Sequence, residues 1–261
     1  MNLSLESKNA IICGSTQGIG LAIAKELSLL GANCILMARN EEALKSAAAS
    51  LSTDKGQSHR YLVADFSKPD EVRIAIESFV KENTAHILIN NTGGPKPGLI
   101  AEEDEQKFID AFSQHIVCNQ ILAKAVIPGM KAAKFGRIIN IISTSVKIPI
   151  NNLGVSNTIR AAVASWGKTL SNEIGQFGIT VNNILTGYTN TNRLQSVIET
   201  NAKTRGVKPE VIANEMMDRI PVKRFAESEE IAAVVAFLSS PAASFVNGTS
   251  IPVDGGGTGA I

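Results

Sequence analysis

Short, almost wholly apolar runs recur along the chain, and between them lie longer stretches whose apolar residues fall at helical spacing. The runs predict strands at Asn9–Cys13, Cys34–Ala38, Tyr61–Ala64, Ile87–Ile89, Arg137–Ile142, Thr180–Leu185 and Ser250–Val253. The intervening pattern predicts helices over Ile19–Leu30, Glu41–Leu51, Pro69–Lys81, Glu103–Lys134, Val155–Phe177 and Glu229–Leu238, the fourth bent at Pro128-Gly129. Strands rich in Ile, Leu and Val with no polar alternation need cover on both faces, as in a parallel sheet between two helix layers. The predicted fold is therefore α/β, a single doubly wound parallel sheet with helices on both faces. Ser67 before Pro69 and Asp70, and Ser228 before Glu229 and Glu230, predict helix starts with a cap oxygen and first-turn carboxylates.

From Tyr188 to Pro221 the rhythm lapses into a polar, charge-mixed segment that includes Asn190, Asn192, Arg193, Lys203, Arg205 and Lys208. Insertions of this kind at the carboxyl edge of a sheet serve as lids over a ligand, so residues 188–221 are expected to form one.

With 261 residues, 44% of them hydrophobic, the chain suits one large domain spanning 1–261. Its 25 basic and 24 acidic residues are interspersed, which removes the footprint of a nucleic-acid binder and favours small-molecule partners. Met1–Ala10 holds Glu6 and Lys8, matching neither a signal peptide nor a membrane span, and a cytoplasmic location is expected. Cys13, Cys34 and Cys118 sit in apolar runs and suit reduced, packed thiols, while His59, His86 and His115 are scattered, so no metal is expected.

The first strand ends in Gly14-Ser15-Thr16-Gln17-Gly18-Ile19-Gly20, a GxxxGxG turn that opens into a helix. Glycines here allow the tight turn and the close approach of a pyrophosphate, which meets exposed N–H groups and the positive helix end. Taken alone the turn has a plainer reading as a tight strand-to-helix connection, over which nucleotide binding is modestly favoured; with the βαβ rhythm around it, it reads as a dinucleotide cradle. Arg39 closes the second strand, where a site for NAD(H) would present a carboxylate, and its guanidinium suits a 2′-phosphate; NADP(H) is favoured over NAD(H).

With Asp65-Phe66, Asn90-Asn91-Thr92-Gly93, Gly136–Ser143, Gly178–Asn182 and Val253-Asp254-Gly255-Gly256 added to this turn, the chain resembles the short-chain dehydrogenase/reductase family over essentially its whole length. Within that family it is similar to the 3-oxoacyl-carrier-protein-reductase-like branch. The resemblance implies a Rossmann-type fold, with Asp65 and Phe66 beside the adenine, Asn91 and Gly93 beside the adenosine ribose, and Gly187, Thr189 and Thr191 at the nicotinamide end. Thr186 stands where the family has proline. It also implies a homo-oligomer, tetramers being usual, built on the helices of Glu103–Lys134 and Val155–Phe177.

The family moves hydride between nicotinamide C4 and a carbonyl carbon with an Asn, Ser, Tyr and Lys tetrad. Registered through Arg137–Ser143 and Thr169-Leu170, the chain carries Ser143 for the serine, Ser156 for the tyrosine, Arg160 for the lysine and His115 for the asparagine; Asn119 fits that last position less well. The alkoxide formed as hydride arrives needs a proton, which a phenol of pKa about 10 supplies and a serine hydroxyl near about 15.7 does not, a deficit on the order of 8 kcal/mol. Arg160, one turn after Ser156, still offers positive charge and a grip on the nicotinamide ribose. Two side chains are candidates for the missing acid: His115, whose class titrates near about 6.5, and Tyr188. The expectation is an NADP(H)-dependent oxidoreductase that reduces a carbonyl, of 3-oxoacyl or other type, or oxidises the alcohol; the rival is a noncatalytic NADP(H)-binding protein.

Overall fold

A computed structural model describes residues 1–260. Chain order gives β1 (Asn9–Cys13), α1 (Gly18–Leu29), β2 (Asn33–Ala38), α2 (Glu41–Ala49), β3 (Arg60–Val63), α3 (Pro69–Val80) and β4 (Ile87–Asn90). The second half follows with α4 (Glu105–Phe112), α5 (Cys118–Ala133), β5 (Gly136–Ser143), α6 (Gly154–Ile174), β6 (Ile179–Thr186), α7 (Asn192–Arg205), α8 (Pro209–Asp218), α9 (Ser228–Ser239) and β7 (Ser250–Val253). The strands form one seven-stranded sheet in the order β3-β2-β1-β4-β5-β6-β7, and every pair is parallel.

Because successive strand residues face opposite sides, each strand feeds two cores. Ile12, Leu36, Ile89, Ile139 and Ile184 pack with Ile23 and Leu27 of α1 and Ile231 and Val235 of α9. Their neighbours Ile11, Met37, Leu88, Ile138 and Val181 pack with Val72 and Ile76 of α3 and Leu122, Val126 and Met130 of α5. This explains why the central strands read as near-continuous apolar runs; the polar side chains within them, Asn90, Asn140 and Asn183, are buried and hydrogen-bond one another at 2.8 Å from strand to strand. Only the edge strands expose side chains among the described residues, β3 through Arg60 and Val63 and β7 through Pro252. Chain order reverses between β1 and β4, which opens a crevice at the carboxyl ends of these two strands.

Three sequence expectations need correction. The helix expected over 103–134 is interrupted at Ser113–Val117 by a wide turn of i→i+5 type, and α5 then runs through Pro128 to Ala133. Burial of Val126 and Met130 on either side of the proline outweighs its one missing N–H bond. The segment 188–221, where the rhythm was expected to lapse, contains α7 and α8, which share a small core of Leu194, Ile198, Ala202, Ile212 and Met216. The cap positions move as well. Lys68, not Ser67, precedes α3, and Ser67 donates its N–H to Asp65 Oδ1 at 2.9 Å; Glu227, not Ser228, precedes α9 and donates its N–H to Glu230 Oε2 at 2.8 Å.

All three cysteines are free and buried, and burial raises each thiol, Cys34 and Cys118 to about 12. Among the described residues no helix is long and apolar enough to cross a membrane.

Candidate active site

An elongated cleft of about 960 Å³ runs along the carboxyl ends of the strands, from Arg39 and Asp65 at one end to Ser143, Ser156 and Tyr188 at the other. Its floor is the turn between β1 and α1. Gly14 and Gly18 take positive φ of 59° and 53°. A Cβ on Gly14 would lie 2.5 Å from the backbone oxygen of Asn91, and one on Gly20 would lie 2.1 Å from the oxygen of Gly14. These positions accept only glycine, because strand, turn and helix meet there at backbone contact. Asn91 pins the turn from the side, donating through Nδ2 to the carbonyls of Cys13 and Gly14, each at 3.2 Å. No side chain caps the start of α1, so its first N–H groups and its dipole face the cleft.

This floor fits a dinucleotide diphosphate: an anion on it would meet backbone donors that no side chain occupies. Gly14, Gln17, Gly18, Ile19 and Gly20 line the cleft, as do Arg39, Asp65, Phe66, Asn91, Gly93, Gly187, Thr189 and Thr191. Ser15 does not. Its hydroxyl is fully buried without a hydrogen-bond partner, and its neighbour Thr16 lines the cleft instead. Asp65 accepts the Ser67 N–H, which with the nearby charge of Arg39 holds its carboxyl below the usual range. Arg39 is exposed and enters no ion pair among the described residues, as a guanidinium kept for a phosphate would be.

At the other end the side chains do the building. Ser143 closes β5 and accepts the Ser145 N–H at 3.1 Å, which leaves its own proton to donate into the cleft. Ser156 and Arg160 project from one face of α6 toward Gly94, whose Cβ position lies 3.5 Å from Arg160 Nη2 and 3.9 Å from Ser156 Oγ. Arg160 donates through Nη1 to the Ile141 carbonyl at 3.0 Å and through Nη2 to the Thr92 carbonyl at 3.2 Å, clamping the ends of β4 and β5 together. Three of its five N–H groups are left for a ligand. Burial, helped by the charge of Arg193, lowers its pKa to about 10, which still leaves it cationic at neutral pH.

The two candidates for the acid are placed differently. His115 lies in the wide turn and is only 2% exposed; it shares a 2.7 Å hydrogen bond with Thr92 Oγ1, and its Nε2 has no partner. It does not line the cleft, and burial lowers its pKa to about 3, so it is neutral at physiological pH. The reading of His115 as the proton donor is therefore corrected: it stands behind the cleft, hydrogen-bonded to the hydroxyl of Thr92, the residue whose carbonyl accepts from Arg160, and near enough to feel the Arg160 charge. Tyr188 stands on the cleft wall, its ring edge-on to Phe225 with centroids 6.3 Å apart. Thr186, in the proline position, donates through Oγ1 to the Ile142 carbonyl at 2.9 Å, and Gly187 donates its N–H to the Val253 carbonyl at 3.1 Å, so the turn after β6 is fixed without proline.

The sequence reading left out Thr16, Thr92 and Gln114 and took Arg193 only as one charge among several. Gln114 donates through Nε2 to the Gly93 carbonyl at 3.3 Å, tying the wide turn to the segment after β4. The single signal available was the match of Asn90–Gly93 to a family motif, which marks that segment as part of the site without saying which side chains hold it.

A glycine-floored crevice at the switch point of a doubly wound sheet, continued by a serine and a cation at the ends of β5 and α6, is the arrangement of a dinucleotide-dependent oxidoreductase. Residues 14–258 match the family model described as enoyl-(acyl carrier protein) reductase. The chain is 32% identical over 257 residues to 3-oxoacyl-(acyl-carrier-protein) reductase FabG of Pseudomonas aeruginosa, covering 97% of this chain and 98% of the relative. D-beta-hydroxybutyrate dehydrogenase of Rhizobium meliloti is 32% identical over 97% of this chain and 99% of its own. The crystal structure of L-sorbose reductase from Gluconobacter frateurii, complexed with NADPH and L-sorbose, aligns with a TM-score of 0.93 at 31% identity over 100% of both chains. The chain belongs to the short-chain dehydrogenase/reductase family.

Proposed function

We propose that the protein binds NADP(H) and reduces a carbonyl compound, or oxidises the corresponding alcohol, at the end of the cleft formed by Ser143, Ser156, Arg160 and Tyr188. The observation that carries this reading is that these four side chains line the same continuous cleft as the glycine floor and Arg39. Supporting it, L-sorbose reductase, similar over its full length, is described with NADPH bound. The dinucleotide, when bound, supplies the hydride. The chain's own residues do the rest: Ser143 donates a hydrogen bond to the substrate oxygen, and Arg160 lends positive charge as that oxygen becomes anionic. Ser156 is too weak an acid for the proton transfer. With His115 held neutral and off the cleft, Tyr188 supplies the proton. The helices α7 and α8, with Tyr188 packed on their shared core, act as the lid.

Titration with NADPH and NADH, followed by single-turnover hydride transfer to a panel of ketones and 3-oxoacyl thioesters, tests the reading. NADPH binding with transfer to at least one of them is expected. Binding without transfer to any would replace it with the noncatalytic one, which the clamping of Arg160 onto two backbone carbonyls would then explain. Leu99, Ile100, Ile109 and Phe112 form exposed apolar surface around α4, which supports a homo-oligomer, to be measured by light scattering.

A further inference from the structure

Two guanidinium groups face the reactive end of the cleft with no carboxylate to offset them. Arg193, near the start of α7, donates through Nη2 to the Pro95 carbonyl at 2.9 Å, while Arg160 donates through Nη2 to the Thr92 carbonyl at 3.2 Å. The two carbonyls are three residues apart on the segment that follows β4, and both arginines line the cleft. Gly93 and Gly94 lie between them, so no side chain of that segment screens the cations from the cleft or from each other. The charge of Arg193, itself exposed, reaches Arg160, where it adds to burial in lowering the pKa. Among the described residues neither arginine enters an ion pair, and the one carboxylate on the cleft wall is Asp65, beside Arg39 at the far end.

Placing two like charges together costs free energy that an anion between them repays, and each guanidinium keeps N–H groups unused by the protein. The dinucleotide diphosphate has its own donors at the glycine floor. We propose that Arg193 and Arg160 together bind a carboxylate carried by the carbonyl substrate, so that the protein acts on oxo acids in preference to neutral ketones or sugars. The proposal rests on the cleft being a carbonyl-redox site and names Arg193 as its specificity-determining residue.

Calorimetric titration of 2-oxobutanoate, acetoacetate and levulinate, each beside its methyl ester, into the NADP⁺-saturated protein tests this. At least one acid should bind roughly 10- to 100-fold more tightly than its ester, the range expected for charge-assisted hydrogen bonds. Arg193→Gln should erase that difference while the NADPH dissociation constant stays unchanged, and Arg193→Lys should keep part of it; a melting curve confirms that each variant is folded. Equal binding of acids and esters, or binding of no acid, overturns the proposal. So does an equal loss of NADPH affinity in Arg193→Gln, which would assign the cation to the diphosphate. If the unmodified protein binds no NADPH, the cofactor reading has failed instead, and the acid-to-ester ratio measured without dinucleotide still decides the anion site.

Discussion

The two ends of the cleft are built from different materials. The floor under α1 is backbone: Gly14 and Gly20 bring three stretches of main chain together, Gly18 turns the chain at positive φ, and the donors offered are peptide N–H groups. The reactive end is side chains: Ser143, Ser156, Arg160, Tyr188 and Arg193, each from a different element or a different turn of one. A backbone site tolerates no added atom and leaves a fixed spacing of glycines in the sequence. A side-chain site is assembled from residues far apart, and any one of them can be exchanged while the fold stands.

The sharpest way to break this contrast is to add one methyl group at each end. In Gly20→Ala the new Cβ would sit 2.1 Å from the Gly14 carbonyl oxygen, so strand, turn or helix must move. Overpacking of this kind costs about 3 kcal/mol, and NADPH affinity, measured by fluorescence titration, should fall about 100-fold or more. A comparable change at the other end, Ser156→Thr, is expected to leave NADPH affinity within about threefold, because Ser156 meets open cleft rather than main chain. Equal losses at both ends would mean that the floor is not the rigid half.

Next in size is Tyr188→Phe. If Tyr188 donates the proton, removing its hydroxyl should slow single-turnover hydride transfer about 100-fold while NADPH affinity holds, since general acids contribute about 10²- to 10⁴-fold. An unchanged rate would leave the proton to solvent, relayed past Ser143 and Ser156.

The same contrast decides what could be read from the sequence. The sheet was legible because burial on both faces leaves runs that are apolar or nearly so, unbroken in Cys34–Ala38 and Ile87–Ile89, and interrupted only by buried asparagines, Asn140 in β5 and Asn182 and Asn183 in β6. The floor was legible because its glycines are sterically required. The lid helices were missed, although Leu194, Ile198 and Ala202 fall at i, i+4 and i+8: the polar residues around them outweighed a stripe only one residue wide. Ser15 and Thr16 were confused because adjacent hydroxyl residues differ only in which way a turn points them. The orientation of His115 depended on the wide turn at Ser113–Val117, which adds a residue to one helical turn and has no mark in the apolar periodicity.

His115 offers a medium-sized effect that separates support from chemistry. Its folded pKa of about 3 lies below the usual 6.5, so the unfolded chain takes up a proton first as pH falls. The stability it permits is complete above about pH 6.5 and is lost as pH drops toward 3, amounting to about 2 kcal/mol by pH 5. His115→Asn should flatten that part of the profile of urea unfolding against pH. An identical slope in the variant would show that the imidazole is not buried as described.

The smallest effect belongs at the margin of the backbone site, where one exposed side chain sets which dinucleotide is held. Arg39 closes β2, is solvated, and touches the cleft from the side where Asp65 also stands. Because water already satisfies the guanidinium, its pairing with a 2′-phosphate is worth less than a buried contact, about 1.4 kcal/mol or tenfold. Arg39→Ala should therefore lower NADPH affinity about tenfold and leave NADH affinity nearly unchanged, with no change in melting temperature. A loss shared equally by the two dinucleotides would place Arg39 on a part they have in common. That result would extend side-chain recognition into the end of the cleft that the glycines otherwise define.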